Sequence, residues 1–187
     1  MRFEHTNTRT NLKFDCKLNC TRCTATTSKG TWCKRRVCVG VAVCHSHRKS
    51  LGVKVKQSNI ANAGKGLFAT KTFKKNAVIG SYSGENVSQA EISRRYGNSK
   101  RDNAPYALGA NNANGRVLDS ACSRSIMSIA NSGRQRSRNN AKFSHKMKQD
   151  GTINVRATKK IKAGDEIMIW YGKDYWKSAK YSRHKTK

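Results

Sequence analysis

The chain has 187 residues, and 39 Lys+Arg against 10 Asp+Glu give a formal net charge of +29. At 36% hydrophobic and 7% aromatic it carries apolar material for one ordinary core plus a small appendage, and its alternating apolar runs exclude a wholly disordered chain. No run approaches the ~18 apolar residues that cross a bilayer. The opening MRFEHTNTRTNLKFD has no apolar signal region, so an intracellular, non-secreted protein without a membrane partner is expected. Such a charge gains most from phosphate polyanions, which makes non-specific nucleic acid an expected partner; charge supplies affinity and not sequence recognition.

From the N-terminus, six of the seven cysteines (Cys16, Cys20, Cys23, Cys33, Cys38, Cys44) fall before residue 45, and His45 and His47 follow at once. Zinc takes four Cys or His ligands in a tetrahedron, and short paired spacings pre-form half a site. Cys20-x-x-Cys23 and Cys44-x-x-His47 are two such pairs. The run from Cys23 to Arg35, completed by Cys44 and His47, supplies one full site, so the expected ligands of a structural zinc are Cys23, Cys33, Cys44 and His47. Cys16, Cys20, Cys38 and His45 are then spare or serve a second metal. Disulfides or buried thiols are the alternatives, and disulfides need an oxidising compartment to which nothing directs the chain. So short a module has little core of its own, and metal would hold it together. It resembles small Cys/His modules attached to viral proteins.

Beyond residue 50 the pattern changes to short strands. Val53 and Val55 alternate with lysines, Val78-Ile79 leads into Tyr82, and Val117-Leu118 follows a turn. Ile153, Val155 and Ala157 alternate, as do Ile167, Ile169 and Tyr171. Asn114-Gly115 and Asp150-Gly151 are hairpin signals. One helix is marked: Ser88 and Glu91 form a capping box, Ile92, Arg95 and Tyr96 follow, and Gly97 ends it. The predicted organisation is a Cys/His-rich module over 1–50, a mostly β (α+β) domain with few helices over 51–177, and a basic tail over 178–187.

Three stretches of the larger segment carry chemistry when taken together. The first is Ala63-Gly64-Lys65-Gly66-Leu67-Phe68-Ala69 with Gly80-Ser81-Tyr82-Ser83-Gly84-Glu85. Its glycines fit neither a P-loop nor a dinucleotide fingerprint, and Tyr82 stands where a serine-hydrolase elbow needs serine. The second runs from Tyr106 through Val117-Leu118-Asp119 to Ala130-Asn131-Ser132 and Asn140; the third is Ala163-Gly164-Asp165-Glu166-Ile167 with Tyr171-Gly172-Lys173-Asp174-Tyr175-Trp176. In this order the segment, roughly residues 53–176, resembles the SET domain of protein-lysine methyltransferases. The central motif departs from the family's N-H-S-C-x-P-N, reading Ala130-Asn131-Ser132-Gly133 followed by a basic insert before Asn140. The C-terminal Cys-x-Cys zinc cluster of some members is absent from the sequence, which leaves Tyr175 and Trp176 to close the site.

The resemblance implies a knot-like β fold, S-adenosylmethionine as methyl donor, and donor and lysine meeting through a narrow aromatic channel. In-line attack needs a neutral, aligned amine, and desolvation helps a lysine lose its proton. Residue by residue, Tyr171 matches the catalytic tyrosine, and Tyr82 and Tyr106 match channel tyrosines. Lys65, Gly66 and Leu67 would meet the methionine end of the cofactor, and Ala130, Asn131 and Ser132 would lie along it. Trp176 either stacks on adenine or packs the domain edge, and Asp165-Glu166 shapes a turn instead of acting as a base. The substrate implied is a lysine-bearing protein, a histone or other basic nucleoprotein, in a nucleus or virion. The competing reading is an inactive SET-like zinc protein that holds nucleic acid on its basic surface. The Arg134–Lys148 run is a phosphate-binding loop or an exposed insert.

Overall fold

The computed structural model describes residues 21–23, 25–37, 43–97, 104, 106–109, 115–144 and 146–177. In chain order the elements are β1 (Thr21–Arg22), β2 (Arg36–Val37), α1 (His45–Ser50), β3 (Val53–Gln57), β4 (Lys65–Ala69), β5 (Val78–Tyr82) and β6 (Glu85–Val87). There follow α2 (Gln89–Tyr96), β7 (Ala107–Gly109), β8 (Val117–Asp119), 3-10 turns at Ile126–Ile129 and Arg136–Arg138, β9 (Ala141–Phe143), β10 (Ile153–Ala157) and α3 (Lys173–Lys177). Every strand pair is antiparallel, and the sheets are small: β1-β2, β3-β4, β5-β10-β9 and β6-β8-β7. The mostly β reading therefore holds. The expected spare cysteines Cys16, Cys20 and Cys38, the 178–187 tail and Asn114 of one hairpin signal lie outside the described residues.

Side-chain alternation decides which face each strand buries. On β10, Ile153, Val155 and Ala157 are buried while Asn154 and Arg156 are only half so. They join Val53, Leu67, Ile79, Met127, Ile161, Ile167 and Ile169 in the main core. Strand β4 is buried from Gly66 to Ala69, because both of its edges are covered: β3 pairs along one, and residues 165–167 cross the other. Asp150-Gly151 makes the expected turn into β10, with Gly151 at φ +74° and the Asp150 carboxylate accepting from the Thr152 amide and hydroxyl.

Two local expectations need correction. Ile167-Ile169-Tyr171 does not form a regular strand. Its partners change every residue or two: Glu166 bridges Phe68 antiparallel, Met168 bridges Asn131 in parallel, and Ile169 bridges Ala141 in parallel. No ladder can lengthen under those conditions, yet Ile167 and Ile169 still bury completely. This thread touches three segments distant in sequence. The capping box at α2 is also half formed. Ser88 Oγ accepts from the Glu91 amide, and Gly97 ends the helix at φ +94°. The Glu91 carboxylate, however, turns away from the cap to Arg94 and Arg95.

Candidate functional site

Cys23, Cys33, Cys44 and His47 come together in the N-terminal module, with all four ligand atoms within 4.8 Å of one another. The β1-β2 pair brings Cys23 and Cys33 side by side, and Cys44 stands at the start of α1 so that His47 follows on the first turn. Sγ of Cys33 and Cys44 are 3.9 Å apart, and His47 Nδ1 is 3.4 Å from both Cys23 Sγ and Cys44 Sγ. Zinc–sulfur bonds of ~2.3 Å and zinc–nitrogen bonds of ~2.0 Å put tetrahedral ligand atoms ~3.4–3.8 Å apart, so this donor set fits such an ion. The thiols differ: an amide from His47, ahead of its imidazole, draws Cys44 down to about 6 in spite of burial, whereas Cys33 is pushed up, its backbone bond from Arg35 outweighed by burial and the neighbouring cysteines. Contact with Cys23 and then Cys44 raises His47. Val43 packs against both this cluster and the main core, tying the two parts together.

The residues expected to hold the cofactor fall into one neighbourhood by a route the motifs alone do not show. Glu166, buried, accepts from Ser58 Oγ at 2.7 Å, the Asn59 amide at 2.8 Å and Asn131 Nδ2 at 3.2 Å. The same Asn131 amide donates to the Lys65 carbonyl at 3.0 Å. Glu166 thus fastens the loop after β3, the start of β4 and the 130–132 segment into one bracket. A Cβ at Gly66 would lie 2.3 Å from Glu166 Oε1, so glycine there is required by space. Gly64, at φ +73° with open space around it, is required by backbone conformation. Leu67 is wholly buried in the core, so of the three residues given to the methionine end its side chain is unavailable to a ligand.

There are two aromatic groups, and the first reaches the bracket through Ala130. Tyr171 donates its hydroxyl to the Ala130 carbonyl at 2.6 Å, packs edge-on against Tyr175 with centroids 4.8 Å apart, and lies parallel to Trp176 at 6.2 Å. Trp176 lies against Tyr171 on one account and under the Arg134 guanidinium at 5.3 Å on another, so the basic insert meets α3 here. Tyr82 is buried, packs edge-on against Phe143, and donates to the Tyr106 carbonyl at 2.6 Å. Burial pushes its phenol well above the usual range. The Tyr106 ring itself lies under the Arg124 guanidinium at 4.2 Å. A tyrosine whose proton is committed to a carbonyl presents only lone pairs to anything beyond it, which suits Tyr171 to accept from an amine.

A cavity of about 520 Å³ lies beside the bracket, lined among others by Asn59, Ile60, Ser132, Gly133, Arg134 and Met168. Its size falls within the ~300–1,000 Å³ of small-molecule sites. Of the sequence-nominated cofactor residues only Ser132 lines it. The basic insert forms one wall through Arg134 and Arg138, and it is pinned: Asn139 accepts from the Gly133 amide and donates to the Gln135 carbonyl. Asn140 clamps the crossing thread, donating to the Glu166 carbonyl and accepting from the Met168 amide. Sequence reading placed Asp165-Glu166 together in a turn. Asp165 does cap that turn through the Lys162 amide, but Glu166 is the bracket. Only its position beside a buried isoleucine, where a carboxylate demands partners, could have marked it.

Sequence comparison agrees with this geometry. The profile of the SET domain matches residues 64–172, more than half of the chain, and the protein belongs to the SET-domain family. No curated protein matches the sequence. Among solved structures, the methyltransferase domain of human PR domain-containing protein 2 is similar over 65% of this chain and 77% of its own, with 17% identity and a TM-score of 0.49. ctPRC2 in an autoinhibited conformation bound to S-adenosylmethionine is similar over 66% of this chain, with 24% identity and a TM-score of 0.55. ctPRC2 in complex with H3K27me3 and H3K27M is similar over 64%, with 25% identity and a TM-score of 0.55. The chain spans only 15% and 14% of those two ctPRC2 chains. Among the described residues no helix is long and apolar enough to cross a membrane.

Proposed function

We propose that the protein is an S-adenosylmethionine-dependent protein-lysine N-methyltransferase carrying one structural zinc on Cys23, Cys33, Cys44 and His47. The observation that carries the reading is the Tyr171 hydroxyl fixed on the Ala130 carbonyl, next in chain to the Asn131 that closes the Glu166 bracket. When bound, S-adenosylmethionine supplies an electrophilic methyl carbon to a neutral lysine amine. The main chain of Lys65 and Gly66 and the Asn131-Ser132 segment would hold the cofactor, with Arg134 on the outer wall. Tyr171, accept-only, orients the amine by taking one N–H and leaves its lone pair for attack. Tyr82 holds the wall through Tyr106, and the surrounding rings exclude water from the reacting amine.

The substrate that suits this site is a lysine-bearing protein, and a histone or another basic nucleoprotein is the class we propose. Support comes from the ctPRC2 complex with H3K27me3 and H3K27M, and from the +29 charge, which draws the enzyme to phosphate-bearing assemblies. The test is titration of S-adenosylmethionine into the zinc-loaded chain by calorimetry, followed by transfer of labelled methyl to histones and nucleosomes. Binding with transfer to lysine upholds the proposal. A folded, zinc-loaded protein that binds no cofactor overturns it in favour of a nucleic-acid scaffold.

A further inference from the structure

The N-terminal module has a feature that neither metal binding nor methyl transfer uses. Trp32 is 65% exposed, more than any other large hydrophobic residue described. Alternation explains the direction: Cys33 turns inward to the metal cluster, so its neighbours Trp32 and Lys34 face out. The segment beneath is braced. Thr26 bridges Trp32, the Thr27 amide donates to the Thr31 carbonyl at 2.7 Å, and Gly30 at φ +74° closes the turn. Arg22 locks the same backbone, donating from Nε to the Cys33 carbonyl at 2.9 Å and from Nη2 to the Trp32 carbonyl at 3.1 Å. The backbone that carries the indole is thus braced, so little of its ordering entropy remains to be lost on binding.

The sequence around it carries one sign of charge. Between Asp15 and Glu85 the sequence has no Asp or Glu, against fourteen Lys and Arg. Lys29 and Lys34, both exposed, lie three residues before and two after Trp32 in the sequence. A flat π surface among unpaired-sign cations fits an unstacked base between phosphates. It fits a duplex poorly, whose bases are already stacked. It also fits a lipid surface poorly, because Thr26, Gly30 and Thr31 give the ring no apolar companions.

We propose that this module docks single-stranded nucleic acid, with Trp32 stacking on a base and Lys29 and Lys34 engaging the flanking phosphates. The proposal is independent of the methyltransferase reading. The experiment measures fluorescence anisotropy of labelled oligo-dT and oligo-U, each of about 12 nucleotides to exceed one site, with the full zinc-loaded chain across a salt series. Trp32→Ala is expected to weaken binding roughly 5- to 150-fold, the loss of one stacked base, while Trp32→Phe retains most of the affinity and zinc content stays constant. The double variant Lys29→Ala/Lys34→Ala is expected to lower the salt slope by about 1–2. Unchanged oligonucleotide affinity in Trp32→Ala overturns the proposal. So does an equal loss on duplex DNA, or a loss confined to phosphatidylserine vesicles. Should Trp32→Ala shed its zinc, the lysine variant decides, and an unchanged slope overturns.

Discussion

Glu166 and Gly66 act as a pair, each making sense of the other. The carboxylate is buried and held by Ser58, Asn59 and Asn131, so it cannot swing aside when its neighbour grows. Gly66→Ala would drive a methyl against it, and breaking one such charge-assisted bond costs about 1.5–3 kcal/mol. The expected outcome is a lower melting temperature together with weakened S-adenosylmethionine binding by calorimetry; unchanged values for both would refute the bracket. Tyr171→Phe asks a different question, since it removes the hydroxyl donated to Ala130 and keeps the ring that packs on Tyr175. Loss of amine alignment is worth on the order of 100-fold, so methyl transfer should fall by about that much with cofactor affinity within about twofold. A variant that loses cofactor binding and turnover together would place Tyr171 in the cofactor wall instead.

At the scale of elements, α2 carries ion pairs beside its Ser88 cap. Glu91 bonds first Arg94 and then Arg95, which draw its carboxyl from 4.5 down to about 2. A folded-state value below the unfolded one adds stability that is present above pH 4.5 and fades as pH falls toward 2. Glu91→Gln should therefore lower stability at neutral pH and flatten the acid limb of the unfolding curve in that window. An identical acid limb in both proteins would show that the ion pairs contribute nothing. The metal cluster predicts a second, separable loss. Chelation with a strong zinc chelator, or Cys44→Ser, should unfold the module, since among the described residues its buried core consists of Val37 and the three clustered cysteines. Amide hydrogen exchange should rise in β1, β2 and α1 before it rises in β10; simultaneous exchange would mean one cooperative unit. How far these elements were readable follows from how local their determinants are. The alternation of β10 and the Asp150-Gly151 turn depend on near neighbours and could be read, whereas Cys23, Cys33 and Cys44, ten and eleven residues apart, meet only through the β1-β2 pairing and the start of α1. The 166–169 thread depends on three segments distant in sequence, so its isoleucines looked like a strand. Glu91 carried a correct cap signal, but two arginines one turn on compete for its carboxylate, and propensity alone does not rank those partners.

Across the whole molecule the positive charge is largely uncompensated, with 39 Lys+Arg against 10 Asp+Glu, and five of those acids are already held by partners. Glu85, Glu91 and Asp119 converge on Arg95, Asp150 pairs with Lys148, and Glu166 is enclosed. A protein so charged repels a free lysine-rich peptide, yet it is drawn to the same peptide when nucleic acid surrounds it. If the proposed activity holds, kcat/KM on nucleosomes should exceed that on the isolated histone tail at low salt. The ratio should fall toward one as salt rises from about 50 to 200 mM, the range over which several phosphate contacts are lost. The salt dependence discriminates where the ratio alone does not. A preference fixed by shape, with the tail gripped only inside the aromatic channel, would persist at all ionic strengths. Trp32→Ala separates the two sources further, because it removes a stacking contact without changing net charge. A nucleosome preference retained in that variant but erased by salt would assign the attraction to the basic surface as a whole, with the indole reserved for single strands.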